Sequence, residues 1–114
     1  PAYNTKPERL NFHPRKNEWV GYIINLNGKK VYHAGDTDFV DEMTELGKID
    51  VAMLPMGGTY TMDVNEAIEA ANAIKAKITI PMHYKALLKD KSAEAERKFK
   101  DAVNGEVVFM KEIG

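Results

Sequence analysis

The residues able to do chemistry gather at two places, His33-Ala34-Gly35-Asp36-Thr37-Asp38 and Ile80-Pro81-Met82-His83-Tyr84. In each, an apolar, β-like run is broken by Ala-Gly or by Pro and then delivers carboxylates or an imidazole. A strand end fixes donor atoms in space, which metal binding and acid/base chemistry both need. Asp36 and His83 are therefore the first candidates for one shared site. Cysteine is absent, so no disulfide or thiolate contributes, and a metal here rests on His, Asp or Glu. A carboxylate and an imidazole facing each other across a crevice suit Zn2+, Mn2+ or Fe.

The elements that must position these residues follow from local pattern. Residues 1–17 read as loop, broken by Asn4, Pro7, Asn11, Pro14 and Asn17, and His13 reads locally as an exposed loop histidine. Glu18–Leu26 is rich in aromatic and β-branched residues, and Asn27-Gly28 separates it from Lys29–His33. Asn-Gly between two such runs predicts a hairpin with a type I′ turn. Asp38 can cap a short helix over Phe39–Leu46, with Gly47 as its stop. The apolar run Ile49–Pro55 predicts a strand buried on both faces. It leads into a loop with Gly57-Gly58, Thr59 and Tyr60, where the glycines permit close backbone approach or simply a tight turn. Asp63 and Glu66 have capping-box spacing before a helix whose apolar face is Val64, Ala67, Ile68, Ala71 and Ile74. A third strand over Lys77–Met82 ends at His83. A helix over Ser92–Val103 and a strand over Glu106–Met110 complete the order β-β-α-β-α-β-α-β, a layered α/β domain.

In such a sheet, ligands bind in the loops beyond neighbouring strand ends. Three loops qualify: His33–Asp38, Pro55–Met62 and Pro81–Lys85. Each candidate also has a structural explanation. Asp36 can be a turn former, His83 an imidazole satisfied by a carbonyl, and Asp38 is most simply the helix cap. His33 points to packing or to support of a ligand rather than direct coordination. Thr59 and Tyr60 are candidate substrate contacts or plain surface loop.

The bulk numbers narrow the class. The 114 residues suffice for one domain, and the net charge of -1 offers no basic excess for nucleic acid and no polybasic membrane patch. No apolar run is long enough to span a bilayer, and the lack of cysteine suits a reducing cytoplasm. No repeat or linker divides the chain.

Several ordered stretches together resemble the metallo-β-lactamase-fold hydrolases: Tyr32–Asp38, Asp50–Gly58, Tyr60–Asp63, Glu66-Ala67 and Ile80–Tyr84. The likeness is greatest to the UlaG-like, L-ascorbate-6-phosphate-lactonase-type branch of metal-dependent hydrolases. It implies a four-layer αββα sandwich of which these residues are the C-terminal half, a mixed sheet with flanking helices, residues 1–114 forming one partial domain. It further implies a divalent metal, Zn2+ foremost, with Asp36 as the bridging carboxylate and His83 as a ligand, and metal-assisted hydrolysis of a small-molecule ester. Two departures stand out. The family's His-x-His-x-Asp-His signature is absent from these residues and is expected N-terminal of Pro1. Where many relatives carry a histidine, Asn4 stands; that ligand is lost or is supplied by His13, and imidazole is the better donor for these metals. The resemblance implies a parent hydrolase for a lactone, phosphoester or similar ester, with this half feeble or inactive alone. The competing expectation is a non-catalytic half-domain that oligomerises or pairs with a separate N-terminal half to cover its open sheet face.

Overall fold

The computed structural model describes residues 1–110. The predicted hairpin is present: β1 (Tyr22–Leu26) and β2 (Lys29–His33) pair antiparallel, and Asn27 and Gly28 take φ of 51° and 82° at the turn. The positive φ at both central positions matches the right-handed twist of the flanking strands. Parallel neighbours follow in the order β1-β2-β3-β4-β5, with β3 at Val51–Pro55, β4 at Ile78–Met82 and β5 at Glu106–Val107. Asp50 pins the start of β3 to β2, because its carboxylate accepts the Lys30 N–H at 2.9 Å. That hydrogen bond, with help from Lys29, Lys77 and Lys48, holds its carboxyl below the usual range against the opposing effect of burial.

Helix α1 (Val64–Ile74) begins with the predicted capping box: the Asp63 carboxylate accepts the Glu66 N–H at 2.9 Å, and the Glu66 side chain accepts from the Asp63 N–H. Helices α2 (Lys85–Leu88) and α3 (Ser92–Ala102) connect β4 to β5. One sheet face, carrying Tyr32, Ala52 and Leu54, meets Ala67, Ala71 and Ile74 of α1 and Phe99 of α3 in a single core. Strand alternation puts Val31, Val51, Met53, Ile78 and Ile80 on the other face, where they are half-buried. Tyr22, Ile24 and Leu26 extend that face and are 61%, 47% and 58% exposed.

Five expectations differ from the structure. The first strand starts at Tyr22 rather than at Glu18, and the last pairs only over Glu106–Val107 rather than to Met110. The segment after Asp38 is a 3-10 turn at Asp41–Glu45, and its preceding residue, Val40, makes no side-chain cap. Asp38 is instead wholly buried and bonded elsewhere, so its carboxylate is unavailable for capping. Strand β3 is covered by helices on one face alone, where Ala52 and Leu54 are buried. Among the described residues, no helix is long and apolar enough to cross a membrane.

Candidate metal centre

Parallel pairing of β2, β3 and β4 brings the ends of all three strands to one edge, where the His33, Pro55 and Met82 backbones turn out of the sheet. The Gly35-Asp36-Thr37-Asp38 run splits its duties there. The Asp36 side chain is 55% exposed, whereas Thr37 and Asp38 turn inward and are fully buried. Thr37 Oγ1 accepts the Tyr3 N–H at 3.0 Å. Asp38 accepts the backbone N–H of Thr5 at 2.6 Å and of Lys6 at 3.0 Å, and the Asn4 amide at 3.2 Å. Residues 1–17, which carry no periodicity of their own, are thereby strapped across the strand ends.

Arg9 locks the strap. Its guanidinium is 3% exposed and meets Asp38 at 3.2 Å and Glu66 at 2.7 Å, while Nη1 donates to the carbonyls of Thr61 and Gly58. One side chain thus joins the N-terminal strap, the loop after β2, the loop after β3 and the first turn of α1. Sequence reading passed over Arg9, because every one of its partners is remote in the chain and no local pattern marks it.

The strap delivers His13, whose Nε2 lies 3.6 Å from Asp36 Oδ2. Its Nδ1 faces two acceptors, Asn4 Oδ1 at 3.2 Å and the Tyr60 carbonyl at 3.3 Å. Asn4 is itself fixed: it is 2% exposed, its amide nitrogen donates to the Tyr60 carbonyl at 2.9 Å, and its oxygen accepts the His13 N–H at 2.8 Å. A proton on Nδ1 satisfies both acceptors, and Nε2 then faces the Asp36 carboxylate. Asn4 is thereby the residue that orients His13.

His83 opens onto the same cavity, of about 330 Å3, as His13, Asp36 and Tyr60. It is exposed and takes φ of 54°, a left-handed conformation at the end of β4. The loop comes close because residue 57 is glycine: a Cβ there would stand 2.4 Å from the His83 carbonyl oxygen and 2.5 Å from Leu87 Cδ1. Thr59 is exposed and outside this lining, while Thr61 lies within it. His33 accepts the Gly35 N–H on Nδ1 at 3.2 Å, which shapes the turn before Asp36. The donor types match a borderline divalent cation, but among the described residues no three His, Asp or Glu side chains converge closely enough to hold one. His13 and Asp36 stand 3.6 Å apart, with His83 lining the same cavity.

Residues 1–84 match the profile of the beta-lactamase superfamily domain. The chain belongs to that family. Its sequence is 50% identical over 68 residues to a UPF0173 metal-dependent hydrolase of Thermoplasma volcanium, a stretch covering 57% of this chain and 30% of that protein. Its fold superposes on a crystal structure from Parabacteroides distasonis with a TM-score of 0.81 and 41% identity, over 96% of this chain and 47% of the other. Igni18, a metallo hydrolase of Ignicoccus hospitalis, matches with a TM-score of 0.72 and 34% identity, over 97% of this chain and 47% of its own. The superfamily chain described here thus spans less than half the length of these relatives. The metallo-β-lactamase-type α/β fold expected from the sequence agrees with these neighbours, and the matched stretch contains His13, Asp36, Thr59, Tyr60 and His83 alike.

Proposed function

We propose that this chain forms the C-terminal, metal-holding edge of a metal-dependent hydrolase in the UlaG-like branch, acting on a lactone, phosphoester or similar small ester. The observation that carries this is the His13–Asp36 arrangement, an oriented imidazole lone pair facing an exposed carboxylate at 3.6 Å. Asp36, His13 and His83 would hold the ion, and Zn2+ fits a mixed imidazole and carboxylate set best. When bound, a divalent metal supplies Lewis acidity to a water molecule and to the scissile oxygen. The chain's own residues do the rest. Asn4 and the Tyr60 carbonyl keep the His13 proton on Nδ1, Arg9 holds the loops in register, and Tyr60 borders the space where the ester would lie. Hydrolysis adds the elements of water across the acyl or phosphoryl C–O or P–O bond, releasing an acid and an alcohol. With three donors of its own, the chain is expected to bind metal weakly and to turn over substrate feebly or not at all without further ligands.

Metal content tests this. Dialysed against Zn2+ and assayed by mass spectrometry of the metal, the chain should retain the ion, and Asp36→Ala and His83→Asn should each lower affinity about tenfold or more. Asparagine is the replacement at His83 because it tolerates the left-handed backbone. Unchanged content in both variants would remove the coordination reading.

A second reading is favoured by the outer sheet face, where Tyr22, Ile24 and Leu26 lie about half exposed beside Val31 and Met53. A contiguous apolar face of this kind marks an interface, so the chain would act as an assembly module, pairing with itself or with an N-terminal half. On a sizing column it should elute above monomer size, and Ile24→Lys/Leu26→Lys should restore the monomer. A monomeric wild type would end the self-pairing form of this reading.

A further inference from the structure

The chain leaves β4 through His83, whose φ of 54° is a conformation that L residues seldom adopt. Such a residue persists where its neighbours over-determine it, and those of His83 act from both sides. Downstream, Tyr84 is buried, and its carbonyl accepts the N–H groups of Leu87 at 3.1 Å and Leu88 at 2.7 Å. Helix α2 is thereby closed directly after the turn. Upstream, the Met82 carbonyl accepts the Met56 N–H at 3.1 Å and ties the end of β4 to the loop after β3.

Two glycines follow Met56, and they are glycine for different reasons. Gly58 has φ of 85°, so its own backbone favours glycine. Gly57 does not share that conformation, and its constraint comes from across the loop. A Cβ at position 57 would meet the His83 carbonyl oxygen at 2.4 Å and Leu87 Cδ1 at 2.5 Å. The Leu87 methyl ends a flexible, exposed side chain and can swing aside. The His83 carbonyl belongs to the main chain and moves only with the residue itself.

We propose that Gly57 is a positioning residue for His83. Its bare Cα leaves room for the left-handed turn, and the turn fixes where the imidazole stands in the cavity shared with His13 and Asp36. This rests on the hydrolase reading above and deepens it with a residue whose role is carried through His83. The test is Gly57→Ala in the full chain, read first without metal. A residue of positive φ holds its amide and Cα protons close together, which gives an intense intraresidue nuclear Overhauser cross-peak. The wild type should show that cross-peak at His83, and Gly57→Ala should lose it while the His13 and His33 ring signals stay in place. Gly47→Ala is the control, because Gly47 has φ of 75° and nothing within 4 Å of a Cβ. It should lose stability and keep the His83 cross-peak. Gly57→Ala/Leu87→Ala should still lack it, since the clash with the carbonyl remains. Zn2+ affinity, measured on separate samples, should fall about tenfold in Gly57→Ala, as in His83→Asn. A wild type without the cross-peak, a Gly57→Ala chain that keeps it, or its return in the double variant would overturn the proposal. So would equal Zn2+ affinity in wild type and Gly57→Ala, or loss of the whole fold, because a contact confined to one turn predicts a local effect. A wild type that retains no Zn2+ counts against the hydrolase reading instead, and the cross-peak still decides the role of Gly57.

Discussion

Arg9→Met should cost the fold about 3–5 kcal/mol, the largest loss expected from any polar substitution in the chain. The reason is what it leaves behind. Asp38 is fully buried, and without the guanidinium its charge is compensated by the N–H groups of Thr5 and Lys6, the Thr5 hydroxyl and the Asn4 amide. The Thr61 and Gly58 carbonyls and Glu66 each lose the Arg9 donor at the same time, Glu66 keeping the Asp63 N–H. A domain of this size has about 5–15 kcal/mol in total, so the urea midpoint at neutral pH should fall by about a fifth or more. Arg15→Met is the control, because the Arg15 side chain is 74% exposed and its pair with the half-buried Glu42 should be worth less than about 1 kcal/mol. Arg9→Met/Asp38→Asn should recover part of the loss, since the orphaned charge goes with its partner. A loss below about 1 kcal/mol in Arg9→Met would show that the strap is not held this way.

Tyr32 gives the second large effect, and it appears only in alkali. Burial, with a smaller contribution from the Glu42 charge, pushes its phenol from 10.0 up to about 12. Between those values the unfolded chain has released this proton while the folded chain keeps it. Stability from this group is therefore complete below pH 10 and declines as the pH rises, by about 1.4 kcal/mol per unit and roughly 2–3 kcal/mol in all by pH 12. Tyr32→Phe keeps the ring in the core and removes the ionisation. The two proteins should unfold at similar urea concentrations at neutral pH, and the variant should become the more stable one above pH 10. Other tyrosines and the lysines titrate in the same range, so the difference between the two proteins is the quantity to follow. Parallel decline of both up to pH 12 would place the Tyr32 hydroxyl in contact with water.

Local sequence carried the elements and remote partners decided the site. The Asn27-Gly28 turn, the Asp63–Glu66 capping box and the apolar spacing of α1 are short-range signals, each set by backbone conformation or helical period, and each is present as expected. Asp36 and His83 both follow strand ends, and with β2 and β4 flanking β3 in parallel those ends lie on one sheet edge, where both residues line one cavity. What could not be seen was how residues 1–17 are ordered. Their turn residues do spell loop, yet Thr37, Asp38 and Arg9 pull that loop across the sheet edge through contacts more than thirty residues apart. Asp38 shows the difficulty well. An aspartate just before an apolar run has the spacing of a helix cap, and only the buried guanidinium of Arg9 outcompetes that use. The same strap explains Asn4 and His13, whose pairing with Asp36 depends on a hydrogen bond between positions nine apart. The half-buried outer face of β3 differs from its expected two-sided burial for a related reason: a continuous apolar run says that a strand is meant to be covered, not by what.

The most direct test of the shared site uses the fact that the chain has only three histidines, His13, His33 and His83. With 15N-labelled imidazoles, long-range 1H–15N spectra recorded during a Zn2+ titration report every ring nitrogen separately. The expected result is that His13 Nε2 and one ring nitrogen of His83 move together along one binding curve, that His13 Nδ1 stays protonated, and that His33 does not respond. Zinc uptake that shifts His33, or that shifts His13 and His83 on unrelated curves, would contradict a single cation gripped between these strand ends.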